Sequence, residues 1–280
     1  LLLLHPAGSE GRQWRELLND AEVTRRFRCI AFDMPWHGKS IPPADFHLME
    51  DEYKLTTSFY GEFIVAFCRA LDLKKPVVMG QSMGGNICLH LALKYEHEFS
   101  ALIALEACDY SPGWWIDPLH HPHIHGGEAV ATSVFGLMSP ESPDEYRWET
   151  WWYYAQGGPG IFKGDLYFYS VDSDFRDQVH KISGRTPIYF LTGEYDFACT
   201  PEMTERTAEK VKGSETVIFS GGHFPTSEDP AKFKDIITPV LKKIVQNDPE
   251  RRGSGRAMGN SAQPSAPSSA RPAGRRVIDL

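Results

Sequence analysis

The sequence lacks the excess of basic charge that would suit it to nucleic acid or to an anionic membrane. Its 29 Lys and Arg stand against 37 Asp and Glu, a formal net charge of −8, so no basic face is expected to dominate. It also lacks a disulfide framework. Cys29, Cys68, Cys88, Cys108 and Cys199 are odd in number, widely spaced and without a CxxC pair, which excludes a disulfide-stapled secreted fold and suits free thiols in a reducing, cytoplasmic compartment. No internal repeat is visible. The opening block of four leucines is too short for a signal core or a membrane span and carries no basic flank. It reads instead as a central strand, with the antiparallel strands that would precede it apparently missing and a sheet edge exposed as a result.

What is present is a chain of 280 residues, 41% hydrophobic and 24% charged, long enough for one large core. Apolar strand-like runs at 27–33, 77–80 and 101–106 alternate with helical spacing at 60–71 and 84–95, and surface helices are expected at 202–212 and 231–246. Phe233, Ile236, Ile237, Val240, Leu241 and Ile244 share one face of the last. Alternation of this kind predicts an α/β fold, a mostly parallel sheet covered by helices on both faces.

The richest run is Val77-Val78-Met79-Gly80-Gln81-Ser82-Met83-Gly84-Gly85. It reads as a buried strand, a tight turn carrying one serine and the start of a helix, the G-x-S-x-G nucleophile elbow. Such a turn strains the serine backbone, so the positions two before and two after must be nearly free of side chain. Ser82 Oγ is then pushed to the top of the sheet, and the Met83 amide at the helix N-terminus points to where an oxyanion would form. Two later runs repeat the design. Pro187-Ile188-Tyr189-Phe190-Leu191-Thr192-Gly193-Glu194-Tyr195-Asp196 ends in a turn with an acid at its tip, and Val217-Ile218-Phe219-Ser220-Gly221-Gly222-His223 ends in a histidine. Each lies where a parallel strand delivers its C-terminal end. Taken singly, the acid is a turn former and the histidine a loop residue. Together they give Ser82, Asp196 and His223 as nucleophile, orienting acid and general base, in chain order Ser, Asp, His. Asp109, just past the strand at 101–106, is the rival acid.

On these motifs the chain resembles the α/β-hydrolase superfamily, in its lid-bearing, haloperoxidase-like and carboxylesterase-like branch, over residues 1 to about 245. His5-Pro6-Ala7-Gly8 matches the family's oxyanion loop after the first core strand, and Asp33-Met34-Pro35-Trp36-His37-Gly38-Lys39-Ser40 matches its Asp-x-Pro-Gly-His-Gly-x-Ser segment. Two positions depart: Pro6 and Trp36 stand where the family favours glycine. Pro6 has no N–H, so the resemblance implies Ala7 and Met83 as the oxyanion donors. Trp36 is expected beside the mouth, narrowing it. Asp33 and His37 are expected to organise the loop beside the elbow.

The resemblance further implies an inserted lid. The stretch 109–180 breaks the alternation and crowds aromatic residues, among them Trp114, Trp115, Trp148, Trp151, Trp152, Tyr153, Tyr154, Phe168 and Tyr169. Most of these rings are expected to form the lid's own core and a few to face an apolar or aromatic small-molecule substrate. His120-His121-Pro122-His123-Ile124-His125 is read as a solvated turn, because no cysteine or acid accompanies it, so neither metal nor cofactor is assigned. The expected division is a first core part at 1–108, the lid at 109–180, a second core part at 181–247 and a disordered tail at 248–280, where Arg, Gly, Pro and Ser replace periodic apolar residues. The activity implied is hydrolysis of small apolar esters through an acyl-enzyme. Carbon–carbon bond hydrolysis, cofactor-free perhydrolysis and a slowly turning-over ligand receptor are the alternatives this scaffold leaves open.

Overall fold

The computed structural model describes residues 1–42, 44–47, 50–114 and 127–248. Among them, six strands form one parallel sheet: β1 (Leu2–Leu4), β2 (Ile30–Ala31), β3 (Val77–Gln81), β4 (Ala101–Leu105), β5 (Ile188–Gly193) and β6 (Glu215–Phe219), in spatial order β2-β1-β3-β4-β5-β6. The register sets Leu3 opposite Ala31 and Met79, and Gly80 opposite Ala104. From β1 the chain steps outward to β2, crosses back to β3 and then proceeds one way. The connections after β1 and β3 therefore leave in opposite directions, and the crevice between their C-terminal ends is where such sheets hold ligands.

Helices among the described residues are α1 (Arg15–Asn19), α2 (Ala21–Thr24), α3 (Thr57–Ala70), α4 (Met83–Lys94), α5 (Gly127–Phe135), α6 (Asp144–Ala155), α7 (Ile161–Tyr167), α8 (Pro201–Lys210), α9 (Pro225–Glu228) and α10 (Pro230–Asn247). Strand alternation sorts the core into two layers. Leu2, Leu4, Val78, Leu102, Ala104, Ile188 and Phe190 face α3 and α4. Leu1, Leu3, Val77, Met79, Ile103, Leu105 and Leu191 face the opposite way, toward Leu17 of α1, Val23 of α2 and Phe233, Ile237, Val240, Leu241 and Ile244 of α10. Each fully buried side chain of this kind contributes about 1.5–3 kcal/mol.

Local chemistry moves several boundaries from where periodicity alone places them. The strand expected at 27–33 pairs only at Ile30–Ala31, because Asp33 turns the chain by accepting the Gly11 amide at 2.8 Å and the Lys39 amide at 2.9 Å. Helix α3 starts three residues earlier than the apolar spacing suggests, where the Thr56 hydroxyl accepts the Phe59 amide as an N-cap. The Asp229 carboxylate does the same for α10 through the Lys232 amide.

Between β4 and β5, helices α5, α6 and α7 gather Val130, Ala131, Val134, Leu137, Met138, Tyr153 and Tyr154 around Ala198 and Phe224. Not all its rings are interior. Trp148 and Trp152 are 54% and 57% exposed, stacking edgewise on the half-buried Trp151, whereas Phe168 and Tyr169 have joined the core beside α3 and α4. Consecutive positions on α6 point in different directions, so one helix cannot bury all of Trp148, Trp151, Trp152, Tyr153 and Tyr154. Trp115, the histidines at 120–125 and residues 249–280 of the expected tail lie outside the described residues.

Helix α4 runs very close to the sheet. A Cβ on Gly84 would stand 2.6 Å from the Leu4 carbonyl oxygen, a contact that backbone cannot relieve cheaply. Gly84→Ala is therefore expected to lower unfolding free energy by about 1–3 kcal/mol, read as a shift of the urea midpoint at unchanged m-value; an unaltered midpoint would show that the helix can back away freely.

Candidate active site

Ser82 sits between β3 and α4 with φ 55° and ψ −116°, a left-handed conformation rare for a residue with a side chain. The turn is tight because β3 and the first turn of α4 nearly touch: a Cβ on Gly80 would overlap the Gly84 carbonyl oxygen. The Ser82 amide is spent on the Leu105 carbonyl at 2.8 Å. Its hydroxyl is left to face the loop after β6, where His223 Nε2 lies 2.9 Å from Ser82 Oγ. His223 Nδ1 lies 2.6 Å from Asp196 Oδ2, in the loop after β5. Asp196 Oδ1 in turn accepts the amides of Ala198 at 2.7 Å and Cys199 at 3.0 Å. All three residues are buried. Side chains 27 and 141 residues from His223 thus form one hydrogen-bonded row at the C-terminal edge of the sheet.

Asp109 does not join this row. Its buried carboxylate is held from α8, by Lys210 Nζ at 2.6 Å and Arg206 at 3.5 Å, because the chain turns away from the sheet after Glu106 and runs beneath that helix. The carboxyl that does approach Asp196 is Glu106. It is fully buried at the end of β4, at φ 49°, and accepts the Gly193 amide at 3.1 Å. Burial, and then the negative charge of Asp196, push its pKa well above the usual carboxylate range, which favours the neutral acid at Glu106. The ligand atoms of Glu106, Asp196 and His223 lie within 4.8 Å of one another, the grouping most able to hold a cation among the described residues. The hydrogen bonds just given already occupy the Asp196 and His223 atoms that such an ion would need.

Two further side chains and one backbone bond hold the histidine loop, and composition alone gave no sign of them. Gln81, the variable residue of the elbow, donates to the His223 carbonyl at 2.8 Å and accepts from Thr226 at 2.7 Å. Glu228 accepts the amides of Gly222 at 2.5 Å, Ser139 at 3.3 Å and Phe224 at 3.4 Å. The His223 amide donates to the Leu137 carbonyl at 2.9 Å, so the loop is tied to the segment after α5.

On the other side, Ala7 and Pro6 line the cavity above Ser82, together with Trp114, Val134, Leu137, Tyr154, Phe162 and Tyr169. The cavity volume is about 40 Å³. Met83 opens α4, so its amide is one of the helix donors without an intrahelical acceptor. Trp36 does not line this cavity. At φ 71°, where glycine is favoured, it turns onto Tyr53 with ring centroids 4.6 Å apart and borders a separate cleft with Gly38, Lys39 and Gln156. Cys199 is buried, and burial raises its thiol well above its ordinary range, so it is no nucleophile.

A parallel sheet switching direction beside a strained serine, with histidine and carboxylate delivered by the two following strands, defines an α/β-hydrolase-fold protein. Comparison with known proteins agrees. The family model described as alpha/beta hydrolase fold matches residues 1–130. An uncharacterized protein of Mycobacterium tuberculosis is 24% identical over 271 residues, covering 85% of this chain and 73% of that protein. A thermophilic esterase from Thermogutta terrifontis superposes with a TM-score of 0.74 at 21% identity, covering 87% of this chain and 89% of that one. An enol-lactonase from Burkholderia xenovorans gives 0.74 at 16% identity, covering 88% and 90%. The fold of the chain is therefore that of the α/β hydrolases.

Glu228 supplies a pH signature. Burial lifts its pKa from 4.5 to about 7, so folding favours the protonated form. The stability it confers is complete below 4.5 and is lost as pH rises through about 7. Glu228→Gln cannot titrate. The difference in unfolding free energy between wild type and variant is expected to fall across that window in urea melts, and a constant difference would refute the assignment.

Proposed function

We propose that this protein is a serine hydrolase working through a Ser82–His223–Asp196 triad and an acyl-enzyme, with small apolar carboxylic esters as its substrates. The observation that carries the reading is the row of hydrogen bonds, 2.6 Å from Asp196 to His223 and 2.9 Å from His223 to Ser82, ending on the strained elbow serine. His223 Nε2 takes the hydroxyl proton as Ser82 attacks the ester carbonyl carbon. Asp196 fixes the tautomer that leaves Nε2 free and stabilises the imidazolium that forms. The amides of Met83 and Ala7 receive the developing oxyanion, and the alkoxide leaves with the proton from His223. Water then attacks the acyl-enzyme with the same histidine as base, which returns Ser82 and releases the acid.

The cavity supports this substrate class. With a volume of about 40 Å³ and a rim of Trp114, Val134, Leu137 and Tyr169, it suits a short apolar acyl group. Helices α5, α6 and α7 act as the lid that excludes water from it. The esterase and the enol-lactonase among the structural neighbours fit this reading. All five cysteines are free, which fits a cytoplasmic setting, and no helix among the described residues is long and apolar enough to cross a membrane.

The test is turnover of p-nitrophenyl acetate, butyrate and octanoate together with labelling by a fluorophosphonate. Ser82→Ala is expected to abolish both turnover and labelling while retaining the circular dichroism of the wild type. Asp196→Asn is expected to lower kcat by about 10,000-fold. Rates should decline toward the octanoate. Undiminished hydrolysis by Ser82→Ala would overturn the mechanism, and labelling with only a single slow turnover would point to a receptor.

A further inference from the structure

The lid carries a buried carboxylate that belongs to neither the triad nor the cavity wall. Asp165 lies on α7 and is fully buried. Its Oδ2 accepts the Gly8 amide at 2.7 Å and the His37 Nε2–H at 2.7 Å, and its Oδ1 accepts the Tyr53 hydroxyl at 2.8 Å. One oxygen therefore joins the oxyanion loop, the loop after β2 and the lid.

We propose that Asp165 is a positioning residue for the oxyanion hole: by gripping the Gly8 amide from α7, it aims the neighbouring Ala7 amide at the reacting carbonyl. The proposal rests on the serine-hydrolase reading above. The loop is a four-residue turn closed by the Ser9 amide on the Pro6 carbonyl at 3.2 Å. Gly8 occupies its third position at φ 67°, the left-handed geometry of a type II turn. In such a turn the Ala7 and Gly8 peptide groups are adjacent rigid planes, so fixing one amide orients the other. The same helix packs directly on the turn, since a Cβ on Gly8 would overlap the Phe162 ring.

The charge arrangement fits a permanent anchor. An isolated buried carboxylate would shed its charge, but Asp165 has a cationic partner. His37 Nδ1–H donates to the Pro35 carbonyl at 2.9 Å while Nε2–H donates to Asp165, so both ring nitrogens are donors and the ring is an imidazolium. Burial alone would lower its pKa, but the charge and hydrogen bond of Asp165 outweigh that and leave it raised. The neighbouring His5 ring, its centroid 4.8 Å away and tilted by 46°, is of the opposite kind. It accepts the Met34 amide, donates to the Pro6 carbonyl, and is pushed down to about 4 by burial and by His37. A neutral imidazole thus sits beside the cation without repelling it. The segment before α3 completes the anchor, with the Leu55 amide on the Gly164 carbonyl at 3.0 Å.

A matched pair of ketone inhibitors tests this. A trifluoromethyl ketone forms a hemiketal with Ser82 whose oxygen needs the oxyanion hole; the methyl ketone of the same shape binds as a ground-state mimic. Asp165→Asn is expected to weaken the trifluoromethyl ketone about 100-fold, to lower kcat by a similar factor and to change KM and the methyl ketone by less than about threefold. His37→Gln, which keeps the Asp165 oxygens but removes their counter-charge, should weaken the trifluoromethyl ketone about tenfold with the same selectivity. Equal loss for both ketones in either folded variant, or no loss for either ketone, overturns the proposal. Wild type that fails to discriminate between the two ketones, or Ser82→Ala that binds the trifluoromethyl ketone as tightly as wild type, would instead refute the serine-hydrolase reading itself.

Discussion

The left-handed backbone at Ser82 is the constraint on which the rest of the site depends. A residue with a side chain held at φ 55° costs on the order of 1–3 kcal/mol. It persists because β3 and α4 meet across Gly80 and Gly84 with no room for a Cβ, and because the Ser82 amide is pinned to the Leu105 carbonyl on the neighbouring strand. Relaxing the serine would mean lifting a helix off the sheet and exposing Ile87, Leu89 and Leu91, all of them fully buried. The core therefore supplies the energy that keeps this serine strained. The same contact places the first amide of α4 and the end of β1 side by side at the point where the sheet reverses direction.

Around that point the fold must accommodate four buried carboxyl groups, and it treats each differently. Asp196 rests on two backbone amides and the imidazole of His223. Its neighbour Glu106 keeps a proton, since two adjacent buried negative charges would be far too costly. Glu228 is shared among three amides that shape the histidine loop. Asp165 alone is balanced by a histidine cation. Each solution removes the penalty of an uncompensated buried charge, and each also fixes a loop that bears on the reacting centre.

Much of this was legible in the sequence, for identifiable reasons. The elbow is a purely local motif in which each glycine has a steric cause, and the strands that precede Asp196 and His223 are apolar runs ending in glycine turns. The alternation of strand and helix carried the parallel sheet. What escaped reading was whatever depends on contacts distant in sequence. Glu106 looked like the polar end of a strand, because nothing local tells that Asp196 will fold against it. Asp109 was the rival acid on paper, and the positions of Lys210 and Arg206 on α8 divert it. Trp36 looked like a gate, but a left-handed φ turns its ring away onto Tyr53. Asp165 lies in an aromatic-rich stretch with no pattern of its own, and its partners are 112, 128 and 157 residues away. A buried polar residue is invisible to periodicity until its partner is known.

These long-range contacts change what the insert between β4 and β5 is. It covers the serine, yet it also holds both sides of the site: the Leu137 carbonyl and Ser139 amide reach the histidine loop, and Asp165 reaches the loop of Ala7. A cover that only shielded the pocket could swing outward at little cost. Lifting α7 here would separate a buried ion pair and strand the Gly8 amide and the Tyr53 hydroxyl without acceptors, each loss costing about 1–3 kcal/mol or more. Lifting the segment after α5 would likewise unfasten the amides held by Glu228. Enlarging the pocket and keeping the groups around Ser82 in register are therefore opposed. A fold built in this way resists enlargement, so the small, apolar volume above Ser82 is set by the same contacts that hold the loops around it.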